Sequence, residues 1–230
     1  MRNIFRIITI TLLFVQSSIV YGQINFTNGG GDKLFSNAAN WSTGKVPTAA
    51  DKIKLDTNGD TIIVDGVYSV RQILATKVKG AFIGNGGNDT LYINGNSGIG
   101  PPIQANGTDA RVAFHLPVVL ETTVGTQTKS FATNGGGSHI KFFDVFINHS
   151  MHLSLSNPNN RANTQIHFDG KFISTKWLNI NANAKVEFGP NSDFTEHKSA
   201  VRFIGNAGNG QLTVKSVSYT HLTLPTKRIV

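Results

Sequence analysis

The sequence predicts an all-β chain, a right-handed parallel β-helix with coils of about 24 residues, and three observations carry that expectation. Glycine (24) and asparagine (23) make up about a fifth of the chain, and both accept the backbone conformations of tight turns. Between them lie short runs rich in β-branched and aromatic side chains, which read as strands. A twelve-residue string also recurs at separations that share one unit, as stacked coils require. No twelve-residue window beyond the N-terminal segment holds a 3.6-residue apolar stripe, so helix content is expected to be very low. An antiparallel β-sandwich is the alternative.

Residues 1–22 read as a secretory signal peptide. MRNIFR supplies a positive start, and the apolar run Ile7 to Val15 follows. Val20 and Gly22 stand at the −3 and −1 positions of a cleavage site. That apolar run falls well short of the roughly 20 residues that cross a bilayer. The mature chain is therefore expected to begin at Gln23, to be secreted or held at the outer surface of a bacterial cell, and to contain no transmembrane segment. With no cysteine, disulfide staples, Cys-based zinc sites and thiol nucleophiles are excluded, and the domain must live on its own core.

The strand runs are KIKL at 52–55, TIIV at 61–64, TLYI at 90–93, RVAF at 111–114, HIKFF at 139–143, QIHF at 165–168, KVEF at 185–188, VRFI at 201–204 and QLTV at 211–214. FIGNGGNDTLYI at 82–93 and FIGNAGNGQLTV at 203–214 agree at seven of twelve positions, and FATNGGGSHIKF at 131–142 is a weaker copy. The intervals between their first residues, Phe82, Phe131 and Phe203, are close to two and three coils. One coil cannot bury its inward face, but stacked coils share a continuous core. Eight coils would make a stack roughly 40 Å long at the inter-strand spacing. The expectation is that the three phenylalanines point into one wall and that the Gly-Asn turns lie over one another, with asparagine ladders. Right-handedness follows the crossover rule.

Residues 23–50 are expected to form an N-terminal cap and 51–217 the β-helix, an incomplete one. NWSTGKVPTAADKIKL, with Asn40, Trp41, Gly44, Pro47, Asp51, Ile53 and Leu55, resembles the opening of exported bacterial β-helix surface proteins, among them autotransporter-like passengers and polysaccharide-active enzymes. The resemblance is confined to this short stretch and implies that the segment leads into the first coil. Physically, Trp41 is suited to cover the open coil end, which is otherwise an edge waiting to be paired. SVSYTHLTLPTKRIV at 216–230 lacks Gly and Asn. It resembles a tail produced when adapter DNA is translated past the end of a gene fragment. That implies a non-native tail at 218–230 and a longer natural protein; a genuine terminal strand is the alternative.

Charge bears on partners. The chain carries 21 basic and 13 acidic residues, +8 in all. Arg2, Arg6, Lys227 and Arg228 lie in the two end segments, which leaves 17 against 13, or +4, over positions 23–217. That is an ordinary surface, with dispersed cations and no interleaved stacking aromatics, so nucleic acid is not an expected partner.

Few residues point to chemistry. Asp56, Asn58 and Asp60 in DTNGD resemble the start of a calcium loop, but the glycine and the closing Glu are misplaced, so an Asx-rich turn is the simpler reading. His149 and His152 stand at i,i+3, which puts them on opposite faces of a strand. Asp144 and Asp169, close to one coil apart, are expected to stack near His167, with Lys141 and Lys171 supplying charge. Carboxylates about 5 to 9 Å apart are what glycosidase chemistry needs. Five N-x-[ST] strings, at Asn25, Asn40, Asn88, Asn106 and Asn148, are no more than an Asn- and Thr-rich chain produces. No nucleotide-binding or serine-hydrolase motif occurs. No catalytic, cofactor-binding or metal residue is assigned, and no cofactor is expected. The function expected is a non-catalytic scaffold of adhesion type, with extracellular polysaccharide or cell-surface components as partners. The alternative is a polysaccharide lyase or glycoside hydrolase with part of its catalytic coils missing.

Overall fold

The computed structural model describes residues 22–55, 57, 59–76, 78–95, 102–106, 110–120, 129–134, 139–147, 151–155, 165–174, 178–181, 185–193, 201–204, 211–214 and 217–218. Strands, numbered in chain order, fall into three walls visited in turn. Wall 1 holds β1 (Gln23–Asn25), β2 (Lys52–Leu55), β5 (Gln72–Thr76), β8 (Ile103–Asn106), β11 (Lys129–Asn134), β14 (Met151–Leu155), β17 (Leu178–Asn181) and β20 (Val201–Ile204). Wall 2 holds β3 (Asp60–Val64), β6 (Lys79–Gly84), β9 (Arg111–His115), β12 (His139–Phe142), β15 (Gln165–Phe168), β18 (Lys185–Phe188) and β21 (Gln211–Val214). Wall 3 holds β4 (Val67–Val70), β7 (Thr90–Ile93), β10 (Val118–Leu120), β13 (Val145–Ile147) and β16 (Phe172–Ser174). Two short strands, β19 (Ser192–Asp193) and β22 (Val217–Ser218), pair with each other in parallel.

Every strand pairing in the walls is parallel. The chain is a right-handed parallel β-helix, and the sandwich alternative falls. All nine strand runs read from the sequence fall on strands, HIKFF ending one residue early at Phe142. Among the described residues the one helical element is a single 3-10 turn, Ala38–Asn40.

Coil length is not constant. Ile53 has Ile73 as its register partner, a short coil, whereas Phe82 has Phe114, a coil more than half as long again. The walls keep a fixed inward pattern, and the corners absorb the difference.

That variation overturns one expectation about phase. Phe82 lies in β6 of wall 2, whereas Phe131 and Phe203 lie in β11 and β20 of wall 1. The three do not share a wall. The repeated string marks a strand–turn–strand corner of either kind: wall 2 to wall 3 for the first copy, wall 1 to wall 2 for the others. The first copy's turn therefore stands at a different corner from the other two connections, whose Gly-Asn segments lie outside the described residues. The interval from Phe131 to Phe203 is still three coils, since β11, β14, β17 and β20 are successive rungs.

The column that does align is another set of phenylalanines. Phe82, Phe114, Phe142, Phe168 and Phe188 are register partners in wall 2 and are buried. Their rings stack at centroid distances of 5.3, 5.2, 5.5 and 5.3 Å, with planes 8–23° apart. Parallel in-register strands put the same side chain at the same height on every rung, so offset stacking of successive rings follows. Beside it, Val112, Ile140, Ile166 and Val186 form a second buried column. In wall 1, Ile24, Ile53, Ile73 and Ile103 do the same.

At the N-terminal end, Leu34 bridges Ile63 in parallel, so β1 and Leu34 begin a partial coil above the first full one. Phe26 bridges Trp41 in the antiparallel sense, and Ser42 donates its N–H to Asn25 O at 2.9 Å. The chain at 40–42 thereby runs along Asn25–Thr27 and covers the carboxyl end of β1. Trp41 is buried edge-on against Phe26 and Phe35, and its indole N–H donates to Phe35 O at 2.9 Å. Asn40, fully buried, donates from Nδ2 to Asp32 Oδ1 and Leu34 O and accepts from Gly30 N–H.

Candidate functional site

The outer face of wall 2 is built by the residues that alternate with the buried columns. Ala113, Lys141, His167 and Glu187 are register partners there, one rung apart. A shallow groove of about 450 Å³ runs over this face, lined by Arg111, Lys141, His167, Asp169, Glu187 and Pro190 among others. Ala113 keeps its floor low, because a small side chain stands where the next rung carries Lys141.

Charges in the groove are paired along the stack. Lys141 Nζ lies 3.4 Å from Asp169 Oδ2, and His167 Nδ1 lies 3.6 Å from Glu187 Oε1. The second contact is an ion pair only when the imidazole carries its proton. Both are partly exposed, which limits each to about 1 kcal/mol or less.

The aspartates of the sequence-based cluster serve the corner between walls 2 and 3. Asp144 Oδ1 accepts the Lys171 N–H at 2.7 Å, and Asp169 Oδ1 accepts the Asn191 N–H at 3.2 Å. Each carboxylate thus ties one coil to the next. Glycines make room for them: a Cβ on Gly170 would run into Phe143 O and Asp144 Oδ1, and one on Gly189 into Asp169 Oδ1. Asp65 and Asp89 occupy the same corner on earlier coils. Asp65 accepts from Ser36 and from Tyr68 Oη, and Asp89 Oδ2 accepts the Asn85 N–H at 2.6 Å.

Asp144 and Asp169 do not stack on each other. Carried on from the pairing of Phe142 with Phe168, the register sets Asp144 level with Gly170. Counted back from the pairing of Val145 with Phe172, it sets Asp144 level with Lys171. Asp169 falls short on either count. Asp169, His167 and Lys141 do come together, whereas the Lys171 backbone meets Asp144 elsewhere on the corner. A uniform coil length misses Arg111 and Glu187. The coil from Arg111 to His139 is longer than the mean, and the one from His167 to Glu187 is shorter. Aligning RVAF, HIKF, QIHF and KVEF by the phenylalanine finds both.

In the calcium-like turn, Asp60 Oδ2 accepts the Thr57 N–H at 3.0 Å, while Asp56 and Asn58 lie outside the described residues. Among the described residues no three His, Asp or Glu side chains converge as a metal site. His152 lies in β14 opposite Ser130 and Asn179, and His149 lies outside the described residues. Among the described residues no helix is long and apolar enough to cross a membrane.

Compared with known proteins, the chain matches no family model, no curated protein and no solved structure.

Proposed function

We propose that the chain is an exported, cell-surface or extracellular β-helical scaffold of adhesion type, without catalytic activity in these coils. The observation that carries this reading is the use made of its acids. Asp144 and Asp169 hold successive coils together, and Lys141 neutralises the second. A general acid needs a carboxyl kept protonated, and a nucleophile needs one aimed at the substrate. An outward face of wall 2 that continues rung after rung offers a wide contact surface for polysaccharide or cell-surface components. Export is supported by the positive start and apolar run of the N-terminal segment. Binding of the purified chain to a glycan panel and to whole bacterial cells tests the reading. Retention without depolymerisation is the expected result.

A polysaccharide-active enzyme is the second reading, favoured by one feature: the groove joins Arg111, His167, Asp169 and Glu187 on one face. It requires that some polysaccharide be cleaved and that Glu187→Gln abolish cleavage while leaving the melting profile unchanged. That outcome replaces the scaffold reading.

A further inference from the structure

We propose that Asn85 is a site of spontaneous covalent modification, converting to aspartate and isoaspartate at the corner between β6 and β7. This inference is independent of the proposed function. The sequence holds seven Asn-Gly pairs, beginning at Asn28, Asn58, Asn85, Asn94, Asn106, Asn134 and Asn209. In such a pair the glycine amide nitrogen attacks the asparagine Cγ. The Cγ–Nδ2 bond breaks, ammonia leaves with the amide proton, and a five-membered succinimide remains. Water then opens the ring at either carbonyl, giving an aspartate or a backbone rerouted through the side-chain carboxyl. The reaction needs a glycine nitrogen that is not already donating and a backbone free to fold onto the side chain.

The structure separates the four pairs whose glycine it describes. Gly59 N–H donates to Lys79 O at 2.7 Å, and Gly95 N–H donates to Arg71 O at 2.9 Å. Gly29 N–H reaches Thr27 Oγ1 at 3.4 Å, and Ala39 O sits where its Cβ would be. Asn28 and Asn94 are also held by their side chains: Asn28 Oδ1 accepts the Lys33 N–H, and Asn94 Nδ2 donates to Ser69 Oγ. Gly86 differs from all three. Its N–H has no acceptor among the described residues, it is exposed, and nothing lies within 4 Å of its Cβ position. The next residue, Gly87, has the same open surroundings. The Asn85 side chain makes no hydrogen bond among the described residues, while its own N–H is anchored on Asp89 Oδ2 and Val64 O. The reacting residue is therefore fixed at one end, and the attacking nitrogen is unheld at the other. The product adds negative charge beside Asp89, which is buried.

The test incubates the purified full chain at mildly alkaline pH and follows each Asn-Gly peptide by mass spectrometry, with and without denaturant. Asn85 is expected to convert about five- to tenfold faster than Asn28, Asn58 and Asn94 in the folded chain, the factor by which one backbone hydrogen bond withholds a nitrogen. In denaturant the four rates should converge. Asn85→Gln, which cannot form the five-membered ring, should remove that signal and leave the others unchanged. Equal rates in the folded chain overturn the proposal, and so does the same preference for Asn85 in denaturant.

Discussion

A single phenylalanine position shows how sequence, packing and stability connect. Phe142 and Phe143 are neighbours of the same type, yet Phe142 sits in the middle of the ring stack and Phe143 is 44% exposed. Phe142→Ala is expected to cost about 3–5 kcal/mol in denaturant unfolding, whereas Phe143→Ala should stay within about 0.5 kcal/mol. At the corner, Gly189→Ala should cost about 1–3 kcal/mol because its methyl meets Asp169. Combined with Asp169→Ala it should cost less than the two single losses together, since the obstructing oxygen is then gone. Such corner acids explain why the candidate site is only half legible in the sequence. His167, Asp169 and Lys141 can be gathered from residue type and approximate period. Asp144 is misplaced that way because catalytic and coil-tying carboxylates look alike in a sequence, and only the acceptor geometry distinguishes them.

The N-terminal cap is the element on which edge protection depends. Residues 40–42 lie antiparallel along Asn25–Thr27, so an incoming strand in the parallel sense of the walls finds the carboxyl end of the β1 edge taken. Trp41→Ala removes the aromatic anchor, and the variant is expected to form concentration-dependent oligomers in size-exclusion chromatography. The cap also responds to acid. Burial pushes the Asp65 carboxyl up, but hydrogen bonds from Ser36 and Tyr68 outweigh it and leave the group below its ordinary value of 3.8. Hydrogen bonds from Asn37 and then Asn40 hold Asp32 below the same value. A lowered carboxyl stabilises the fold fully above its unfolded value and loses that contribution as pH falls through the folded one. The cap should therefore hold above pH 3.8 and loosen progressively below it. Trp41 fluorescence in a Trp177→Phe background, shifting red only in that acid range, is the measurement; Asp65→Asn should remove part of the pH dependence.

Across the whole molecule, the walls keep one alternation while the corners vary in length. A residue inserted between Ile166 and His167 turns the rest of that strand inside out, and the melting transition should fall sharply. One inserted between Gly86 and Gly87, where the backbone is open, should leave it nearly unchanged. This difference explains how much of the fold is readable in the sequence. Strand runs, turn composition and a mean coil length are readable, because each is local or an average. The phase is not, because corner strings recur at two kinds of corner and coils range from the short Ile53–Ile73 interval to the long Phe82–Phe114 one. Wall 3 is the least visible, since β10, β13 and β16 have three residues each, too few to show alternation. The covered edge of β1 has a kinetic consequence as well. A chain that emerges amino end first from a ribosome can complete its closed end, tied down by Ile63 and Asp65 of the first full coil, before the second full coil exists. Each new coil then has a finished template on one side, which favours assembly in the order in which the chain is delivered.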